Sequence, residues 1–152
     1  MERDLQREIV NFFESESAKK IVMPIDVVCS SDASLDNPKT KSISMIQSND
    51  KVLDIGTKSI ERYTEIINKS STVFWNGPLG YVEKKPYGKG TEAIINVLAD
   101  SNCFSVIGGG DTVSVIESMG VKDKISYIST GGGALLKYIE GKDMPVIKKL
   151  GL

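Results

Sequence analysis

Two stretches of the chain share one design, and that design restricts the fold more than any other feature. "SVIGGGDTVSVIESMG" covers residues 105–120 and "KISYISTGGGALLKYIEG" covers residues 124–141. In each, a short apolar run ends in three glycines, and a run with helical periodicity follows. Glycine inside a regular element is destabilising by roughly 0.5–1 kcal/mol relative to alanine. Two triplets at the same point of a strand–helix unit therefore need a geometric or a chemical reason. A strand followed twice by a helix over a short turn also predicts parallel neighbours joined by right-handed crossovers.

The rest of the sequence extends this pattern. "MERDLQREIVNFFESE" puts Leu5, Ile9, Phe12 and Phe13 on one helical face. "KKIVMPIDVVCS" is a β-branched run broken by Pro24, read as two strand pieces or one kinked strand. The polar "SDASLDNPKTKSISMIQSNDK" reads as a loop or a short hairpin excursion, and "VLDIG" as a short strand. "TKSIERYTEIINKS" spaces Ile60, Tyr63 and Ile67 as a helix, with Thr57 a candidate N-cap. "STVFW" is a buried strand running into the turn "NGPLG", and "GTEAIINVLADS" is a helix with Ala93, Ile94, Val97 and Leu98 inward. Pro145 interrupts the final helical stretch, leaving a tail that packs as an arm.

The expected fold class is α/β, Rossmann-like, three-layer α/β/α with a mainly parallel sheet, in a single domain over residues 1–152. The two-sided apolar character of "TVFW" and "FSVI" suits strands covered on both faces. The loops after Trp75, Ile107 and Ile128 should then lie together beyond the carboxyl ends of the strands, where open sheets bind ligands.

Composition removes several functional classes. The net charge of −1 argues against a broad nucleic-acid or anionic-membrane footprint, while leaving room for a local anion site made of backbone amides. No apolar run approaches the ~20 residues of a membrane helix, and the charged N-terminus does not resemble a secretory signal. Cytoplasm is the expected compartment. Histidine is absent, which removes the usual general base and any histidine-activated nucleophile. Cys29 and Cys103 form no metal-ligand spacing and read as reduced, buried thiols.

At a strand-to-helix turn, glycine permits positive φ and lets a ligand approach the main chain. The following helix leaves its first N–H groups unpaired and carries about half a positive charge there. Phosphate suits such a site, although tight turning alone would also account for the glycines. Asp111, directly after the first triplet, reads either as a helix cap or as a carboxylate that holds magnesium beside a phosphate. "GGGDTV" and "GGGALL" lack the third glycine of the dinucleotide fingerprint, and no convincing acidic residue follows at ribose distance. No P-loop string is present, so a dehydrogenase half and a P-loop fold are both disfavoured.

The strings "IVMPIDVV", "VFWNGPLGYVE", "VIGGGDTVSVIESMG" and "ISYISTGGGALLKYIEGKDMPVI", in this order and spacing, resemble the C-terminal, nucleotide-binding part of phosphoglycerate kinases. The resemblance runs from the first helix to the tail. It implies phosphoryl transfer between 1,3-bisphosphoglycerate and ADP in glycolysis, with ATP or ADP as substrate and Mg2+ as cofactor. On it, Glu83 would hold the ribose hydroxyls, Asn76 would lie near the transferring phosphates, and Asp111 would take the magnesium. The amides around Gly109, Gly110, Asp111 and Thr112 would meet the nucleotide phosphates. Gly131, Gly132 and Gly133 would stabilise the phosphoryl group in flight. Leu53 would wall the adenine pocket, though on pattern alone it reads as core.

The departures matter too. Typical relatives are more than twice as long, with an N-terminal domain that grips phosphoglycerate and a G-A-K-V-x-D-K segment whose lysines touch the nucleotide. Neither has a counterpart here. Val52 and Thr57 stand where many relatives have glycine and proline, and Leu135 where serine is frequent. The expectation is a chain that binds Mg-nucleotide, is catalytically incomplete alone, and meets phosphoglycerate only with the missing domain. The alternative is a non-catalytic nucleotide- or partner-binding module that self-associates through an exposed sheet edge.

Overall fold

The fold was analysed in a computed structural model that describes residues 2–151. Its elements are α1 (Glu2–Phe13), β1 (Asp26–Ser30), β2 (Lys39–Ser42), β3 (Lys51–Ile55), α2 (Thr57–Asn68) and β4 (Thr72–Asn76). They continue as α3 (Lys89–Asp100), β5 (Phe104–Gly108), α4 (Gly110–Met119), β6 (Tyr127–Ser129), α5 (Gly132–Ile139) and α6 (Pro145–Lys149). The second half is the expected α/β unit. Strands β4, β5 and β6 lie side by side and parallel, with Asn76, Gly108 and Ser129 at one level at their carboxyl ends.

Alternation along these strands sorts their side chains. Val73, Trp75, Ile107 and Ile128 join Ile94, Ile95 and Leu98 of α3 and Ile116 of α4 in the principal core. The opposite face carries Phe74, Val106 and Tyr127 in one row across the three strands. That face was expected to be covered, yet Phe104 and Tyr127 are each 55% exposed.

The first half differs from a continuous parallel sheet. β2, β1 and β3 form a separate antiparallel sheet with β1 in the middle. The polar stretch after β1 is thus the hairpin excursion, returning as β2, and "VLDIG" supplies β3. The run before Pro24 pairs with no strand, and the ladder starts only at Asp26. Helix α1 forms over the expected residues, but Leu5, Ile9, Phe12 and Phe13 remain exposed. Cys29 and Cys103 are free and buried. No helix among the described residues is long and apolar enough to cross a membrane.

Helix α2 corrects one local expectation. Gly56, not Thr57, occupies its N-cap position, and no neighbouring side chain caps it. The cap comes from β1 instead. Asp26, only 6% exposed, accepts the N–H groups of Ser59 at 2.8 Å and Lys58 at 3.2 Å, and the Ser59 hydroxyl at 2.8 Å. Burial alone would raise this carboxyl, but the hydrogen bonds from Ser59 and Lys58 outweigh it and hold it below its ordinary 3.8. A lowered carboxyl stabilises the fold fully above its ordinary midpoint and loses that contribution as pH falls through its own lower one. Asp26→Ala should therefore cost about 0.5–2 kcal/mol at neutral pH. In denaturant melts its deficit relative to wild type should shrink on acidification; a deficit constant down to strongly acid pH would contradict the assignment.

Candidate functional site

Three turns meet at the carboxyl ends of the parallel strands: Asn76-Gly77 after β4, Gly108–Gly110 after β5, and Gly131–Gly133 after β6. The glycine main chain of the second and third turns packs together against the Asn76 side chain of the first. A Cβ placed on Gly132 would stand 2.5 Å from Asn76 Oδ1 and 2.8 Å from the Gly109 nitrogen. A Cβ on Gly108 would stand 2.8 Å from the same Asn76 oxygen. Gly109, the N-cap of α4, sits at φ +98°, a conformation that side chains rarely adopt. These glycines are demanded by packing.

Gly110 and Gly133 are different. Both lie in the first turn of a helix, and a Cβ on either would meet nothing within 4 Å. Neither the fold nor φ asks for glycine there. What the missing side chains leave is bare main chain, open to a ligand. Among the described residues, the N–H groups of Gly110, Asp111 and Thr112, and those of Gly132, Gly133 and Ala134, have no protein acceptor. Two helix N-termini thus present unpaired donors from adjacent strands, the arrangement that suits a phosphate. Beside them, Asn76 Oδ1 and Thr112 Oγ1 are buried without a hydrogen-bond partner.

A groove of about 280 Å³ adjoins the first turn, lined by Val82, Glu83, Asp111, Ser114, Val115 and Ser118. It brings together Glu83 and Asp111, both exposed and far apart in sequence. Ser114, Val115 and Ser118 escaped the sequence reading, although their spacing from Asp111 traces one helical face. No lysine or arginine lines the groove. Lys84, next to Glu83, is drawn to Asp36 at 2.7 Å and to the Ser34 carbonyl. Among the described residues no cluster of three metal-ligating side chains occurs. The Asp111 carboxylate, beside a helix end with unpaired N–H groups, fits magnesium held jointly with phosphate oxygens, since this ion typically takes one or two protein carboxylates.

Leu53 is half-buried and does not line the groove. It lies one bond behind it, its carbonyl accepting the Tyr81 N–H at 2.8 Å. A separate apolar groove of about 300 Å³, lined by Val22, Tyr63, Phe74, Trp75 and Leu98 among others, lies along β4 and includes none of the glycine turns.

The contrast between the glycines is measurable. Gly110→Ala and Gly133→Ala should leave the melting temperature unchanged or raise it, by up to about 1 kcal/mol of stability. Gly132→Ala should destabilise the chain by about 1–3 kcal/mol through overpacking. Equal losses at all three positions in thermal melts would show that packing alone explains the triplets.

A family profile described as Phosphoglycerate kinase matches residues 1–142. A phosphoglycerate kinase of Buchnera aphidicola subsp. Schizaphis graminum is 48% identical over 131 residues, which make up 86% of this chain and 34% of that protein. One of Mannheimia succiniciproducens is 44% identical over 138 residues, covering 88% and 36% respectively. Among solved structures, phosphoglycerate kinase from Coxiella burnetii superposes with a TM-score of 0.82 at 33% identity, over 93% of this chain and 37% of that one. The enzyme from Pyrococcus horikoshii OT3 superposes with a TM-score of 0.79 at 28% identity, over 99% and 38%. The chain spans about a third of the length of these relatives.

Proposed function

Because the chain belongs to the phosphoglycerate kinase family, we propose that it is the nucleotide-binding portion of such an enzyme and holds Mg-ADP or Mg-ATP at its glycine turns. The observation that carries this reading is the pair of adjacent helix ends with unpaired N–H groups and no structural need for Gly110 or Gly133. In this reading the amides of Gly110, Asp111 and Thr112 bind the nucleotide phosphates, and Glu83 accepts hydrogen bonds from the ribose. Asn76 and the amides at Gly132 and Gly133 face the group in transit, whereas the Gly131 N–H, also expected there, donates to the Ser129 hydroxyl at 3.3 Å. Asp111 would hold magnesium, which supplies positive charge against the phosphate oxygens. Fixed dipoles aimed at spreading negative charge are most of what phosphoryl transfer requires of a protein, and a chain without histidine can supply them.

Transfer between 1,3-bisphosphoglycerate and ADP, the glycolytic step, belongs to this reading as the activity of a complete family member in the cytoplasm. The phosphoglycerate half of that site lies in the remaining length of the relatives. This chain alone is therefore expected to bind nucleotide and turn nothing over. A second reading, a non-catalytic module that associates with its own copies, draws on the bare row Phe74, Val106 and Tyr127 and on β4, whose outer edge pairs with no strand.

Titration with Mg-ADP, followed by Trp75 fluorescence or calorimetric heat, tests the first reading. Glu83→Ala should weaken binding about 10–100-fold, the worth of one hydrogen bond to a charged group, and Asp111→Ala should weaken it at least as much by removing the carboxylate that would hold magnesium. A wild-type chain indifferent to millimolar Mg-ADP would remove the nucleotide reading. Turnover by the pure chain in a coupled assay would remove the claim of incompleteness. A dimer in sedimentation, dissolved by Phe104→Ser and blind to nucleotide, is the signature of the second reading.

A further inference from the structure

The loop from Asn76 to Glu83 carries groups at both its ends into the candidate site, yet its interior is held by residues that touch no part of the groove. Leu79 donates its N–H to the Thr91 hydroxyl of α3 at 3.0 Å, and Tyr81 donates to the Leu53 carbonyl of β3 at 2.8 Å. Between them Gly80 rests on Asp54. A Cβ on Gly80 would stand 2.5 Å from Asp54 Oδ1 and would run into the Tyr87 carbonyl. The same oxygen abuts Gly90, where a Cβ would collide with it.

Asp54 is 2% exposed. Its Oδ2 accepts the Gly90 N–H at 2.9 Å and its Oδ1 accepts the Ile55 N–H at 2.8 Å. No cation pairs with it among the described residues. Helix α3 has no side-chain cap of its own, so Asp54 satisfies a first-turn donor from a distant strand. Burial pushes the Asp54 carboxyl above its ordinary value, against the opposing bonds from Gly90 and Ile55, and Glu92 adds to the rise. An isolated buried carboxylate is an expensive way to cap a helix. The two glycines against it show what it achieves: β3, the loop and α3 close to backbone distance around one group.

We propose that Asp54 is the positioning residue for the Glu83 loop: its carboxylate, packed against Gly80 and Gly90, sets where residues 79–83 stand relative to the start of α3. It touches nothing that a nucleotide would touch. The consequence for binding rests on the nucleotide reading above, whereas the brace itself does not.

Hydrogen exchange and Mg-ADP titration on the full chain separate the two. In Asp54→Asn, and in Gly80→Ala, whose added methyl meets both the Tyr87 carbonyl and Asp54 Oδ1, protection of the Tyr81 and Gly90 amides should fall about tenfold or more, while amides of β5 and α4 keep theirs. Mg-ADP affinity should fall about tenfold in the same variants. Adding Glu83→Ala to Asp54→Asn should then cost less than Glu83→Ala costs alone, whereas Asp111→Ala should add in full. A purely structural residue would weaken both additively. Unchanged Tyr81 protection in both variants overturns the brace. A loosened loop with wild-type affinity, or full additivity with Glu83→Ala, overturns the positioning role. Should Asp54→Asn fail to fold, Gly90→Ala, whose Cβ meets Asp54 Oδ1 before any other atom, decides by the same readings. Loss of Tyr81 protection in a chain whose wild type ignores Mg-ADP sustains the brace and removes the nucleotide reading instead.

Discussion

Everything at the rim of the parallel sheet depends on how closely three pieces of main chain approach one another. Gly132 lies against the Gly109 nitrogen and Asn76 at a separation that leaves no room for a methyl group. That approach brings two helix N-termini with unpaired donors to neighbouring positions. Any side chain at Gly108 or Gly132 would separate the turns and divide the donors between two weaker sites. The strands set the level, because Asn76, Gly108 and Ser129 are aligned. The glycines then allow that alignment to become contact.

The electrostatics follow from the same economy. A net charge of −1 gives the chain no long-range pull on an anion. The groove beside α4 adds two carboxylates and no basic side chain, and Lys84 is turned away to Asp36. Positive potential at the site therefore comes from peptide dipoles, which act within about one helical turn. A phosphate would be attracted only at short range. Glu83 and Asp111 would repel it unless each is matched, one by hydroxyl donors and the other by a cation. On the reading proposed above, a nucleotide chelated to a divalent ion would carry both.

The second half of the fold was legible because its periodicities are local. Two strand–glycine–helix units fix parallel pairing whatever the rest of the chain does. The glycine triplets stand out on their own, Asp111 reads equally as a cap or a magnesium carboxylate, and Glu83 is picked out only through the family resemblance. The first half was less legible. "KTKS" has no apolar alternation to mark it as β2, and only its partner β1 gives it strand structure. The cap of α2 comes from Asp26 and that of α3 from Asp54, each more than thirty residues distant in sequence. A capping rule that searches adjacent positions finds Thr57 and misses both. Gly80 and Gly90 likewise read as loop and helix-start glycines, since nothing local announces the carboxylate against them.

The two anion-facing helices are anchored unequally, and this bears on how the site behaves. Helix α4 buries Thr112, Val113 and Ile116, and Ile116 lies in the principal core, so its N-terminus is fixed by the covered side of the sheet. Helix α5 buries only Gly132, while Leu136, Tyr138 and Ile139 are exposed. Its hold on the molecule includes the short strand β6, the contact of Gly132 with Asn76 and Gly109, and half-buried Leu135 beside Gly108. Segments with few buried apolar contacts open at low free energy. The first helix end is therefore the more firmly held of the two. An anion bridging both sets of N–H groups would bind the α5 turn to the rigid one and order it. The glycine that permits the closest approach also decides whether the second set of donors is in place.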